Sequence, residues 1–493
     1  MERKFTEQEE IRRKKLGELI NSGADPYQVL RFDRNYNSAT FKQAFEKYTK
    51  DELHSNTSKV TIAGRIMAIR QTFVVIKDFF GRVQLYIDRK SVESKYLEIF
   101  NNSLDIGDIV GIEGTPMKTN TGEVTVRVKT ITLLSKALKP LPEKFHGLVD
   151  EEGRGRHRYV DLIMNDESMN TFILRSKIVT TLRKFMEQEG FIEMETPVLQ
   201  PIMGGAAARP FITKHNVLDR NFYLRVATEL HLKRLIVGGF EKVFEIGRIF
   251  RNEGMDTTHN PEFTTMEAYW AYVTMYDWME LTEKLFKVIA QELKLTSIKY
   301  KDVEIDFSKS FKRINMVDFI KQETGVDFDK DIKTTEDAIK IAGEHHVKFE
   351  EHQRSRGHII NLFFEHFCEK KCSTPTFIYG HPVEISPLAK KNSKDPRYTE
   401  RFELFICQKE YANSFSELND PIDQFERFNS QMKEKSKGNI EANEMDIDFV
   451  EALEYGMPPC GGIGIGIDRL VMLFTNNESI RNVLLFPHMR DEK

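Results

Sequence analysis

The sequence predicts a multidomain α+β protein, in which a small five-stranded β-barrel precedes a larger domain that mixes helices with antiparallel strand pairs. Three observations predict it. Apolar residues recur with period two from about Ser58 to Leu138. Two later windows read as long strand pairs and a third as a glycine-interrupted strand. Helical stripes of period 3.6 separate these windows. At 493 residues, with 40% hydrophobic and 30% charged, the chain is long enough for two or three domains.

Thr6 to Asn21 is charged, with Ile11, Leu16, Leu19 and Ile20 set sparsely, and stops at Gly23 and Pro26. That pattern predicts one amphipathic helix, and residues 1–57 are read as a helical arm on the surface. In residues 58–139, Val60, Ile62 and Ile66 share a face, and strand-like runs follow at Phe73–Lys77, Arg82–Asp88, Ile109–Gly114 and Glu123–Leu134. A helical stretch, Val92–Phe100, falls between the third and fourth strands. Five strands with a helix after the third is the order of an OB-fold. The outward parity carries Arg82, Gln84 and Tyr86 on one strand and Glu123, Thr125, Arg127 and Lys129 on another, a face suited to unstacked bases and phosphates or simply to solvent.

Residues 140–159, with Pro140, Pro142, Gly147, Gly153 and Gly155 among many charges, read as a linker. Residues 160–493 read as one large domain, with a charged, helical insertion at about 327–371. Its first helix carries the stripe Leu174, Ile178, Leu182, Phe185 and Met186 and closes at Gly190.

Composition excludes several classes. No run of about 18 apolar residues exists to cross a membrane, and the N-terminus lacks the apolar core of a secretory signal. Four cysteines are too few to staple so long a chain, which fits a reducing compartment and makes the cytoplasm the expected location. Cys368 and Cys372, near His366, lack the second half of a zinc site, so a buried helical pair is expected instead. Net charge is −4, so nucleic-acid contact must come from a local patch.

The first chemical window is Val243 to Tyr272, where two strand-like runs flank a turn-rich loop. Parity sets Glu245, Gly247 and Arg251 opposite Phe244, Ile246 and Phe250, and aligns Phe263, Thr265, Glu267 and Tyr269. Arginine can fork onto a phosphate or carboxylate, phenylalanine can stack on a base, and glutamate can hold an ammonium. The second window pairs Arg401–Cys407 with Glu410–Glu417. Phe402, Leu404 and Ile406 face a core, Glu403 faces away, and Asn413, Phe415 and Glu417 align. Glu403 and Glu410, two carboxylates across a hairpin, could share Mg²⁺ with a triphosphate, but parity does not put Glu410 beside Asn413, so it requires a bulge or a position ahead of the strand. The third window runs from Gly461 to Met472, alternating isoleucines with glycines along which a planar ring can approach the backbone, ahead of Arg469. Its Gly-x-Gly-x-Gly spacing is not a dinucleotide fingerprint.

Together the windows resemble the signature motifs of class II aminoacyl-tRNA synthetases. Phe185-Met186-Glu187 through Glu195-Thr196-Pro197 is similar to motif 1, the dimer-interface element. Phe250-Arg251-Asn252-Glu253-Gly254 with His259-Asn260-Pro261-Glu262-Phe263 is similar to motif 2, and Gly464 through Arg469 to motif 3. An OB-fold ahead of such a domain marks the aspartyl, asparaginyl and lysyl subgroup. Gly204 to Phe211, Arg225 to Leu230, Ser386 to Ala389 and Phe415 to Asp420 resemble the lysyl branch. The acidic set Glu229, Glu267 and Glu417 also suits a substrate ammonium, which must be paired when buried.

The resemblance implies a catalytic domain built on an antiparallel sheet flanked by helices. It implies ATP-dependent activation of lysine and its transfer to tRNA(Lys) by a homodimer, with Mg²⁺ as cofactor and neither DNA nor membrane as partner. Gly205 and Glu229 would hold the α-ammonium, and Arg251 the carboxylate or α-phosphate. Tyr269 and Glu417, with Glu267, would hold the ε-ammonium, while Asn413 and Phe415 line the pocket. Phe263 and Arg469 would sandwich the adenine, Glu253 would read its amino group, His259 and Arg469 would reach the terminal phosphates, and Asn260 and Gly466 would belong to the same ATP site. Arg251 and Arg469 would be catalytic through charge neutralisation, Glu403 and Glu410 would bind Mg²⁺, and Phe73, Gln84 and Glu123 match anticodon-reading positions. Thr258, Cys460, Gly461 and the short loop from Arg70 to Thr72 depart from the family pattern. An aspartyl or asparaginyl enzyme, or an inactive tRNA-binding scaffold, are the competing readings.

Overall fold

A computed structural model describes residues 3–90, 92–142, 150–436, 438–439 and 444–490, and the chain divides into two compact units, 1–148 and 149–493. In the first, β1 (Val60–Arg70), β2 (Phe73–Lys77), β3 (Arg82–Tyr86), β4 (Ile109–Lys118) and β5 (Val124–Ser135) close a barrel in the order β1-β2-β3-β5-β4. The period-two residues fill it: Val60, Ile62, Ile66, Val74, Ile76, Val83 and Leu85 are all buried. The helix between β3 and β4 spans Ser94–Glu98 and runs on into a π-turn, Ile99–Ser103.

The N-terminal segment is not a surface arm. Helices Glu7–Asn21, Ser38–Phe45 and Lys50–His54 send Leu19, Phe41, Phe45 and Leu53 into the barrel's own core. Arg12 donates to the carbonyls of Ile106 and Ala137 at 3.0 and 2.8 Å, which pins the first helix down. The sparse apolar residues of that helix understated its burial because an aliphatic stem and a guanidinium do part of the packing.

The second unit holds an eight-stranded sheet. Its strands are β6 (Ile192–Glu193), β7 (Lys242–Phe250), β8 (Glu262–Ala271), β9 (Lys312–Asn315), β10 (Thr376–Tyr379), β11 (Arg401–Ile406), β12 (Lys409–Ser416) and β13 (Cys460–Gly466). They lie in the order β9-β10-β11-β12-β13-β8-β7-β6, with β6 parallel to β7, β9 parallel to β10 and the other neighbours antiparallel. One face packs Phe244, Met266, Phe402, Leu404, Ile463 and Ile465 against helices Asp166–Gln188, Met275–Glu292 and Ile467–Phe474. Helices flanking an antiparallel sheet make the fold α+β, as the sequence predicts.

The segment read as a linker is partly helical: Glu151–Arg156 and Arg158–Met164 are helices. Arg158 is buried and donates to Asp161 at 2.6 Å, and Arg154 reaches the same carboxylate. Arg154 and Arg158 are thus internal partners, while Glu151 and Glu152 stay exposed. Gly147 and the rest of 143–149 lie outside the described residues. Cys368 and Cys372 are buried in a satellite core with Ile359, Phe363 and Phe405, and no group of three or more His, Cys, Asp or Glu placed to hold a metal ion occurs among the described residues. No helix among the described residues is long and apolar enough to cross a membrane.

Candidate active site

The sheet's other face borders a cavity of about 770 Å³. Every residue of the larger domain singled out above for nucleotide, amino-acid or metal contact lines it. The hairpin parity explains this in part, since Glu267 and Tyr269 stand beside β13 with Gly464 and Gly462 as their partners. The paired strand β12 adds Asn413 and Phe415 opposite the same two glycines.

Glu410 reaches this face through a bulge. Leu404 pairs with Ala412, but Phe405 pairs with Glu410, so the register slips by one residue. Tyr411 and Ala412 both enter the core as a result, and the alternation resumes with Glu410 on the side of Asn413. Strict parity would have buried it on the wrong face.

At the closed end the cavity is acidic. Glu417 is buried, and its Oε1 has no hydrogen-bond partner among the described residues. Burial pushes its carboxyl well up, against the pull of a neighbouring ammonium, Lys233. Glu267 accepts from the Thr228 amide at 3.2 Å through each oxygen; burial and then the negative charge of Glu229 push it up to about 7. Gly205 adopts φ +91°, a conformation that strains any side chain, and a β-carbon there would come within 3.0 Å of Ala227. Its backbone is thereby set beside Glu229.

The middle of the cavity is cationic. Arg251 lies 5.2 Å over the Phe263 ring, and its Nε has no partner among the described residues. Arg469, in the first turn of the helix after β13, donates to the Glu410 carbonyl at 2.6 Å. Thr264 donates its amide to Asp468 at 2.7 Å, and Asp468 also accepts from Arg175 at 2.6 Å, which ties that helix to β8. A site with a buried acidic end and guanidinium groups beside a stacking ring can hold an ammonium and, next to it, a phosphorylated aromatic base.

Two family models match the chain. One, described as tRNA synthetases class II (D, K and N), covers residues 150–490, and an OB-fold nucleic acid binding domain covers residues 60–134. The chain belongs to the class II tRNA synthetases of this group. It is 59% identical to the lysine–tRNA ligase of Malacoplasma penetrans (strain HF-2) over 493 residues, the full length of both chains. It is 56% identical to that of Ureaplasma urealyticum serovar 10 and 55% to that of Mycoplasma mobile, again over the full length of both chains.

Within the synthetase, not every expected contact is free. The Asn260 amide already donates to the Glu262 carbonyl at 2.6 Å and its oxygen accepts from the His488 amide at 3.2 Å, so it shapes the motif 2 loop. His259 is held by Asp256 at 2.8 Å and touches Thr258 at 3.1 Å. The glycine stripe is shared: Gly462 makes room for Tyr269 and Glu417, and only Gly464 and Gly466 leave the strand open to a ring.

Glu403 and Glu410 offer hard carboxylate oxygens suited to Mg²⁺, which keeps water and phosphate oxygens as its other ligands. The chemistry of the pair fits. Burial opposes the charge on Glu403, but Arg401 at 2.5 Å and His381 at 3.5 Å draw it down to about 2. Desolvation and repulsion from Glu403 push Glu410 up. Two carboxylates that disfavour each other's charge are relieved by a divalent cation between them.

On the barrel, Phe73 pairs with Tyr86 in the β2–β3 ladder, their rings 5.2 Å apart. Gln84 accepts from Thr125 at 3.1 Å, which buries Thr125 despite its outward parity. Glu123 lies 4.0 Å from Lys42 of the N-terminal segment. Arg70 and Phe73 are paired directly, so the β1–β2 turn is as short as the sequence indicates.

Sequence reading missed three residues that shape the site. Arg401 donates to Asn413, Glu403 and Ser386 at 3.1, 2.5 and 3.0 Å. His381 is buried behind Glu403. Lys233 is buried between Glu229 and Glu417. Only Lys233 carried a local signal, its i,i+4 spacing from Glu229, and that spacing ordinarily marks a solvated helix pair.

Proposed function

We infer that this synthetase activates L-lysine with ATP and transfers the lysyl group to the 3′-terminal ribose of tRNA(Lys). The observation that carries the choice of amino acid is Glu417: a buried carboxylate with an unpartnered oxygen, at the closed end of a cavity that Glu229 and Glu267 make acidic. An ammonium satisfies that oxygen, whereas the carboxylate of aspartate would be repelled by it. The full-length lysine–tRNA ligase relatives support the same reading.

The gathering of these groups around one cavity supports catalysis by positioning. Glu229 and the Gly205 backbone receive the α-ammonium; Tyr269, Glu267 and Glu417 receive the ε-ammonium, with Asn413 and Phe415 along the aliphatic stem. Arg251 then fixes the carboxylate beside the α-phosphate. One carboxylate oxygen attacks the α-phosphorus, the bond to the bridging oxygen breaks, and pyrophosphate leaves. Phe263, Glu253, Gly466 and Arg469 hold adenine, and His259 and Arg469 meet the phosphates. Glu403 and Glu410 would hold Mg²⁺, which supplies charge to the triphosphate. No side-chain nucleophile is required, since the acceleration comes from orientation and preorganised charge. The ribose hydroxyl of tRNA next takes the lysyl carbonyl and releases AMP.

Phe73, Gln84 and Glu123 are assigned to the anticodon, with the Tyr86 ring extending the stacking surface. A homodimer through the element that ends at Pro197, and a cytoplasmic location, complete the reading. Amino-acid-dependent ATP–pyrophosphate exchange tests it: exchange with lysine alone is expected. Exchange driven by aspartate or asparagine overturns the choice of amino acid, and tRNA binding without any exchange favours an inactive scaffold.

A further inference from the structure

Lys233 is among the most deeply buried side chains of the protein, with no exposed surface. It sits on the helix Glu229–Val237, one turn after Glu229. Its ammonium lies 2.5 Å from Oε1 of Glu229 and also contacts Oε2 of Glu417. The rings of Phe415, Phe449 and Tyr269 surround it at 5.3, 5.9 and 6.0 Å. Lys233 does not line the cavity, although both of its carboxylate partners do. Its contacts use one oxygen of each carboxylate and leave Oε1 of Glu417 facing Gly462, where a β-carbon would collide with it.

A buried ammonium between two carboxylates is costly to assemble, and its removal leaves two uncompensated charges. The charges around the amino-acid end make its use explicit. When ionised, Glu229, Glu267 and Glu417 carry three negative charges, and Lys233 and Arg251 carry two positive ones. The site is then one charge negative. Lysine, with two ammoniums and one carboxylate, brings one positive charge and makes the filled site neutral. Without Lys233 the three carboxylates would crowd together, and Glu417, which burial already pushes up, would lose the ammonium that pulls it down and move further towards its neutral acid, a poor partner for an ammonium.

We propose that Lys233 is a positioning residue for amino-acid selection: an internal counter-ion, out of contact with substrate, that holds one oxygen of Glu229 and one of Glu417 and so aims their remaining oxygens at the two ammoniums of lysine. This rests on the pocket assignment above. The two carboxylates bracket the substrate from its α to its ε end, and one fixed cation behind them sets both. The aromatic rings around Lys233 stabilise its charge from the sides and leave it no route to solvent.

The test is ATP–pyrophosphate exchange by the full chain, with lysine and ATP varied separately. Lys233→Met is expected to raise KM for lysine by at least about tenfold, the scale of a lost charged hydrogen bond, while KM for ATP moves by less than about twofold. An unchanged KM for lysine, or an equal rise for lysine and ATP, overturns the proposal. Should Lys233→Met fail to fold, Glu417→Gln is compared with the double variant Lys233→Met/Glu417→Gln. With Glu417 neutral, Lys233 is one cation in excess behind the amino-acid end, so the double variant is expected to need no more lysine than Glu417→Gln alone. A further loss of about tenfold overturns the proposal. If Glu417→Gln itself leaves the lysine requirement unchanged, the pocket assignment fails and the role of Lys233 falls with it. If Glu417→Gln weakens lysine binding but Lys233→Met is silent, only the proposal fails.

Discussion

Gly462 gives Glu417 the space in which its carboxylate stands: a β-carbon on Gly462 would overlap Oε1 of Glu417 and lie 2.5 Å from the Tyr269 ring. Glu417 directly follows β12 whereas Gly462 lies in β13, and Tyr269 is the direct partner of Gly462 in the antiparallel ladder. Gly462→Ala is therefore expected to cost about 1–3 kcal/mol of stability, as overpacking does, and to abolish lysine-dependent exchange. Gly466→Ala meets nothing closer than the Arg469 side chain at 3.9 Å; its melting temperature should match the parent's. Melting curves and exchange rates for the two variants check the contrast.

Arg251 has no ion-pair partner among the described residues and stacks on Phe263. Its removal breaks no ion pair within the protein, so it should cost the fold little. Arg251→Ala is expected to keep the parent's melting temperature within a few degrees and to lower kcat/KM for exchange by at least about 100-fold, near 3 kcal/mol of transition-state stabilisation. Normal exchange by the folded variant would remove Arg251 from the catalytic set.

Glu267 carries a pH prediction. Burial and Glu229 raise its carboxyl from 4.5 to about 7. Between these values the folded protein holds a proton that the unfolded chain has lost, so folding stability falls as pH rises from about 4.5 to about 7. The contribution is of order 3 kcal/mol. Substrate binding runs the other way, since the ionised carboxylate attracts an ammonium, and lysine affinity should tighten as pH rises through about 7. Glu267→Gln should flatten both trends, read by melting temperature and by lysine titration from pH 5 to 8.

The Glu403–Glu410 pair predicts how the enzyme depends on Mg²⁺. Glu403 is already held by Arg401 and His381, whereas Glu410 depends more on a cation to stay charged. Glu410→Gln should raise the Mg²⁺ concentration for half-maximal exchange by about tenfold and leave KM for lysine nearly unchanged. Exchange measured against Mg²⁺ at saturating lysine checks this, and an unaltered Mg²⁺ requirement would leave Glu410 with a structural role only.

By itself, the sequence determined the two-part architecture, the barrel strands and the faces of the long hairpins. These follow from local periodicity, which reports the side on which a side chain leaves the backbone: Glu267 and Tyr269, Glu403 and Asn413 were assigned correctly because strands alternate. The class II resemblance rested likewise on contiguous runs around Arg251 and Arg469. Tertiary structure alone decided where alternation breaks and which charges are internal. The Tyr411–Ala412 bulge that turns Glu410 into the cavity is set by strand pairing. The N-terminal helices join the barrel core through contacts with residues far along the chain, and Lys233 is a counter-ion only because Glu417 folds over it. The physical reason is common to all three: the cost of burying a charge or a bulge is met by partners remote in sequence, and no local pattern records them.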